Sequence, residues 1–264
     1  MRRYDAPNRL GRSEVVMEAP TLWSLAARDG TKLIADAWNV NENSTLLLLP
    51  AGAETRSVWH PVVDHFPPDT KSRWRFVAAD HRGHGDSGRS ESYLFKDFTD
   101  DLLTWIGQLS ARPLVVAGGS IGGALAMVAA GEGAAIDGLA MLDVPIVPAL
   151  ERVMFERRRI QAAAKAGHAS MTSIDPRYIR GGGLIEDVYK DIDRWKRAAC
   201  RLTIPTLLVA GDHGVVRTAE VEQFRVYVPH GEIEHLQTGH LVARDDPKGV
   251  AAILDRFLNR YWRQ

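Results

Sequence analysis

Short, wholly apolar runs alternate along this chain with stretches whose apolar residues recur every three or four positions. The runs are "TLLLLP" (45–50), "WRFVAAD" (74–80), "PLVVAGG" (113–119), "GLAMLDVP" (138–145) and "PTLLVAG" (205–211). Apolar runs without polar alternation suit strands covered on both faces, which is how parallel sheets are built. Phe98, Leu102, Trp105, Ile106 and Leu109 share one helical face, as do Val250, Ile253, Leu254, Phe257, Leu258 and Tyr261 near the C-terminus. Upstream, "LWSLAARDGTKLIADAWNV" predicts two strands joined around Asp29-Gly30. The pattern predicts an α/β fold with a mostly parallel central sheet and helices on both faces.

One interval breaks the rhythm. Between Ile146 and Thr203 no buried strand is predicted, and "VPALERVMFERRRIQAAAKAGH" and "LIEDVYKDIDRWKRAAC" read as helices. An insertion of that length with helices of its own predicts a small helical cap, 146–203, over a core made of 1–145 and 204–264. Gly181-Gly182-Gly183 would serve as its hinge.

Composition narrows the function classes. With 264 residues, 45% hydrophobic and 25% charged, the chain is an ordinary globular one, and neither repeats nor low-complexity tracts are visible. Lys+Arg and Asp+Glu balance at 33 each, so no global attraction to nucleic acid or to an anionic membrane is expected. Cys200 is the only cysteine, which excludes an intramolecular disulfide and reads as a thiol near a helix end. The basic N-terminus "MRRYDAPNRLGRSEVV" has no apolar segment behind it, and the apolar runs are too short to span a bilayer. The expectation is a soluble, cytoplasmic protein, with a homodimer left open.

The chemistry-bearing pattern is Gly118-Gly119-Ser120-Ile121-Gly122, set between a buried run and an Ala-rich helical stretch. A serine on a sharp strand-to-helix turn is exposed to substrate, and its flanking glycines make room for the tight backbone. Dinucleotide binding would need different glycine spacing, and the P-loop lysine is missing. A serine hydroxyl needs a base. His240 in "LQTGHLVARDDP" follows the last strand and precedes the C-terminal helix, in the order serine, acid, histidine. His81 and His84 occupy a glycine-dense turn and read as structural; His60, His65, His168, His213, His230 and His235 have no evident partner. No His/Cys/Asp/Glu cluster has metal spacing, so neither metal nor cofactor is expected.

These motifs together resemble the α/β-hydrolase superfamily. "HRGHGDSG" resembles its R-G-x-G-x-S turn, "GGSIGG" its nucleophile elbow, "TGHLV" its histidine loop and "LLLLPAGAETRSVW" its oxyanion strand, with Pro50-Ala51 in place of His-Gly. The resemblance implies that Ser120 attacks, that His240 moves its proton, and that backbone N–H groups of Ile121 and the Gly52 region hold the oxyanion.

The acid is the difficult position. In most of the superfamily it stands three residues after the glycine that ends the seventh strand, and here that residue is Gly214. Asp212 lies in a turn beside glycine, where aspartate is common for local reasons. Asp143, at the C-terminal end of "GLAMLDVP", is the preferred acid, because ligand-facing groups of open α/β sheets gather at strand ends. The chain is similar here to fungal lactonases of resorcylic macrolactones, which share Pro-x-Gly at the oxyanion loop and proline two residues after the acid.

The resulting expectation is a serine esterase or lactonase acting on a hydrophobic small molecule, with Val153, Met154, Phe155, Met171, Tyr178 and Trp195 of the cap as candidate pocket wall. A cofactor-free dioxygenase using a His240–Asp143 dyad, a C–C bond hydrolase and a hydrolase-derived receptor stay open. Epoxide hydrolases and dehalogenases of this resemblance would need aspartate in place of Ser120.

Overall fold

The computed structural model describes residues 18–109 and 112–263, apart from 182, 183, 185, 186, 188, 189 and 191. Strands β1 (Thr21–Ala26), β2 (Lys32–Trp38), β3 (Ser44–Leu49), β4 (Trp74–Ala79), β5 (Leu114–Gly119), β6 (Gly138–Leu142), β7 (Thr206–Gly211) and β8 (Glu232–Leu236) make one sheet. Its order is β1-β2-β4-β3-β5-β6-β7-β8. β2 pairs antiparallel with β1 and β4, and the remaining pairs are parallel.

The described helices are α1 (His60–His65), α2 (Pro68–Arg73), α3 (Phe95–Gln108), α4 (Ile121–Gly131), α5 (Leu150–Lys165), α6 (Pro176–Gly181), α7 (Ile192–Cys200), α8 (Thr218–Tyr227), α9 (Val242–Asp245) and α10 (Pro247–Trp262). Successive strand residues point to opposite faces, so each apolar run feeds two cores. Leu47, Val116 and Met141 pack with Phe98 and Trp105 of α3 and with α4. Leu46, Leu48 and Val115 pack on the other face with Val62 of α1 and with Val250, Leu254 and Phe257 of α10.

Two departures from the sequence pattern have simple causes. β8 is an edge strand paired only with β7, its residues are half-buried or exposed, and no apolar run announces it. Tyr261 shares the helical spacing of α10 but is 41% exposed, and its hydroxyl donates to Glu232 Oε1 at 2.6 Å. Phe257 and Leu258 carry the buried stripe instead.

Within 146–203 the helices do different things. α7 packs Trp195, Ala198 and Ala199 into the core, with Ala198 against Gly131 of α4. α6 is stitched to the turn after β4: Asp175 N–H donates to Gly83 O at 2.8 Å, and Tyr93 Oη donates to Asp175 Oδ2 at 2.6 Å. Gly181 ends α6, and the expected hinge partners Gly182 and Gly183 lie outside the described residues. No helix among the described residues is long and apolar enough to cross a membrane.

Candidate active site

Ser120 sits between the end of β5 and the start of α4 with φ +46° and ψ −117°. A non-glycine residue there costs about 1–3 kcal/mol and is held only by its surroundings. The surroundings are close. A Cβ on Gly122 would stand 2.6 Å from Pro50 O, and one on Gly123 2.5 Å from Gly118 O. Ser120 N–H donates to Leu142 O at 3.0 Å, and its carbonyl accepts from Ala124 N–H at 3.0 Å. Strand, turn and helix therefore lock the serine with its side chain projecting beyond the strand ends.

His240 approaches from the loop after β8, and its Nε2 lies 2.9 Å from Ser120 Oγ. Its Nδ1 lies 2.7 Å from Asp143 Oδ2. A carboxylate can only accept, so Nδ1–H donates to Asp143 and Nε2 is the acceptor facing the serine hydroxyl. Asp143 follows β6 at φ +53° and is fully buried. Unpaired burial would be expensive, but its oxygens also accept from the amides of Val215 (2.7 Å) and Val216 (3.1 Å).

Those amides belong to "GDHGVV", so the turn after β7 contributes backbone rather than side chains. A Cβ on Gly214 would overlap the Asp143 carboxylate. The Asp212 carboxylate accepts from Gln237 Nε2 and pairs with His235 Nδ1 at 3.3 Å, which ties the end of β7 to β8 and the residue after it. His213 N–H donates to Thr238 O at 2.9 Å. His60, which has no evident partner in the sequence, pairs with Asp36 Oδ2 at 2.8 Å, far from this cluster in role.

Gly52 and Ile121 line the same cavity as Ser120 and His240. Among the described residues no backbone acceptor engages the amide of either. The Pro50–Ala53 loop is held from beneath by the turn after β4. His81 Nε2–H donates to Pro50 O at 2.9 Å. His84 Nδ1–H donates to Arg82 O at 2.8 Å, leaving Nε2 to accept from Ala53 N–H at 3.2 Å. Burial lowers the pKa of His81 to about 4 and that of His84 to about 3, so both rings are neutral, as these bonds require. Arg56 N–H donates to Asp80 Oδ1 at 2.7 Å just beyond, fixing the loop's far end. Nothing in the sequence alone pairs these histidines with residues some thirty positions upstream.

The cavity above Ser120 encloses about 160 Å³ and is walled largely by apolar residues, including Ala124, Val144, Pro145, Ile160, Leu184 and Trp195. Tyr178 joins them from α6. Of the other expected wall residues, Phe155 is 65% exposed and Met154 and Met171 do not line this cavity, while the Val153 side chain lies outside the description. The outward turn of α5 that carries Phe155 presents Ile160 inward instead. Arg157, Arg159 and Glu220 add charge to the lining. No cluster of three or more His, Cys, Asp or Glu among the described residues could hold a metal.

A family model described as alpha/beta hydrolase fold matches residues 44–158, from β3 through the elbow into α5. No curated protein matches the chain. Solved structures do. A thioesterase domain from the curacin biosynthetic pathway is 20% identical, covering 90% of this chain and 99% of its own, with a TM-score of 0.68. A hydrolase from Pseudomonas aeruginosa PA01 is 19% identical, covering 91% and 99%, with a TM-score of 0.69. A haloalkane dehalogenase from Bradyrhizobium elkani USDA94 is 18% identical, covering 91% and 98%, with a TM-score of 0.72. At such identities the likeness is one of fold, and it spans different chemistries.

Proposed function

The chain is an α/β-hydrolase-fold protein, and on that premise we propose that it is a serine hydrolase cleaving a carboxylic ester or lactone of a hydrophobic small molecule. The observation that carries this reading is the continuous relay Ser120 Oγ–His240 Nε2/Nδ1–Asp143 Oδ2, at 2.9 and 2.7 Å, opening into an apolar cavity. In the proposed reaction Ser120 Oγ attacks the acyl carbon while its proton passes to His240 Nε2. The Gly52 and Ile121 amides take the negative charge that develops on the acyl oxygen. Collapse of the tetrahedral intermediate breaks the bond to the leaving alcohol, which takes the proton from His240. Water then repeats the sequence on the acyl-enzyme: His240 accepts its proton and returns it to Ser120 as the acid departs. Asp143 holds the imidazole tautomer and stabilises the imidazolium.

Residues 146–203 are read as the segment that walls the pocket, with α5 and α6 supplying Ile160 and Tyr178. A small, largely apolar pocket favours a small hydrophobic acyl group over a polymer. The curacin neighbour is a thioesterase and so an acyl-transfer protein by its name, whereas the dehalogenase neighbour is not. Intact mass after incubation with a fluorophosphonate tests the reading. A single adduct, lost in Ser120→Ala, is the expected result. A folded protein that takes no adduct would refute acyl transfer and leave the His240–Asp143 base dyad as the alternative.

A further inference from the structure

Tyr178 brings a hydroxyl to the cavity that the fold does not use. Its ring is clamped edge-on by His84 at a centroid distance of 4.5 Å, and by Tyr93 at 5.9 Å and Phe98 at 6.1 Å. Yet among the described residues no hydrogen-bond partner reaches its Oη. That atom points at the oxyanion loop: a Cβ built on Gly52 would lie 2.7 Å from Tyr178 Oη and 3.6 Å from the Ile121 side chain. Gly52, Ser120, Ile121 and Tyr178 line one cavity. Burial pushes the phenol well above its usual range, so it is a donor at any working pH.

We propose that the Tyr178 hydroxyl is a third hydrogen-bond donor to the oxyanion that forms on the substrate's acyl oxygen, acting beside the Gly52 and Ile121 amides. The proposal rests on Ser120 being the acylated nucleophile. A hydroxyl that lines the cavity without a protein partner adds no hydrogen bond to the fold. Such a group, fixed in place by three aromatic neighbours and aimed at the loop that would hold the charge, is preorganised for a ligand atom. The ring meets His84 edge-on, and His84 Nε2 in turn accepts from Ala53 N–H, so one histidine sets both the loop and the phenol.

The test is Tyr178→Phe, which keeps the ring packing. Its readouts are the second-order rate of Ser120 phosphonylation by a fluorophosphonate, steady-state hydrolysis of 4-nitrophenyl butyrate, inhibition by phenylboronic acid, and Tm. Expected are losses of about 10²-fold in phosphonylation rate and in kcat with KM little changed. Phenylboronic acid, whose serine adduct is tetrahedral, is expected to bind correspondingly more weakly, with Tm unchanged or raised. A Phe variant within about threefold of wild type in these rates overturns the proposal. So does a loss that appears in KM alone or travels with a lowered Tm, because that is packing or ground-state binding. Wild-type protein that neither takes the adduct nor hydrolyses esters refutes the serine-hydrolase reading itself, and the proposal falls with it.

Discussion

Gly214 lies against Asp143 so closely that a Cβ on residue 214 would overlap both carboxylate oxygens. The two positions therefore exclude each other as sources of an acid. With glycine after β7, the chain from Gly214 to Val216 wraps the carboxylate that arrives from the end of β6 and gives it two amides. The carboxylate that fills the space is the one that holds His240 Nδ1.

This arrangement separates the two aspartates functionally. Asp143→Asn is expected to lower kcat by about 10³- to 10⁴-fold, because the amide cannot fix the imidazole tautomer or balance the imidazolium. Asp212→Asn is expected to stay within about threefold, since among the described residues the Asp212 carboxylate meets Gln237 and His235 rather than His240. Steady-state ester hydrolysis by both variants gives the ranking, and the reverse order would remove Asp143 from the reaction.

Gly214→Ala tests the close approach directly. The added methyl must displace the carboxylate or the turn, so turnover is expected to fall by about 10²-fold and Tm by several degrees. Adduct formation by the fluorophosphonate, measured as a rate, reports the loss without a known substrate. An unperturbed variant would show that the turn yields freely.

The histidine pair beneath the Pro50–Ala53 loop predicts a pH effect. In the unfolded chain both rings titrate near ~6.5, while in the fold burial holds them at about 4 and about 3. The unfolded state binds more protons between these limits, so their contribution is present above about pH 6.5 and is lost as pH falls toward 4. Buried Asp101, raised to about 6, acts in the opposite sense, so the measurement is a difference. His84→Gln, whose amide can still meet Ala53 N–H, is expected to show a shallower fall of Tm between pH 6.5 and 4.5 than wild type. Parallel curves would mean that His84 does not contribute to the slope.

How much of this was readable along the chain depends on the range of each interaction. β3, β5, β6 and β7 are buried at nearly every position, and a continuous apolar run is the direct trace of that burial. β8 is covered on one edge only and leaves no such trace. Ser120 was visible because the elbow needs glycine on both sides, and Asp143 because a charge closing an apolar run needs partners. The partners themselves were not visible: Val215 and Val216 act through amides, which have no side-chain signature. His84 and Tyr178 meet the Pro50–Ala53 loop across 31 and more positions, and only the folded sheet brings them there. On α5 the sequence does not show the helical phase, which turns Phe155 outward and brings Ile160 to the cavity.

Backbone strain at Ser120 makes the last prediction one of stability. At φ +46° and ψ −117° Ser120 occupies a region that glycine enters freely and that any Cβ disfavours. Ser120→Ala keeps the Cβ and the strain, so its stability is expected to match wild type within about 0.5 kcal/mol. Ser120→Gly releases the strain at the expense of greater freedom in the unfolded chain, for a net gain of about 1 kcal/mol. In a chain of this length that raises Tm by about 2–4 °C. Urea unfolding of the three proteins measures it. If glycine were no more stable than alanine at this position, the elbow would store no strain, and the serine's exposure would follow from the flanking glycines alone.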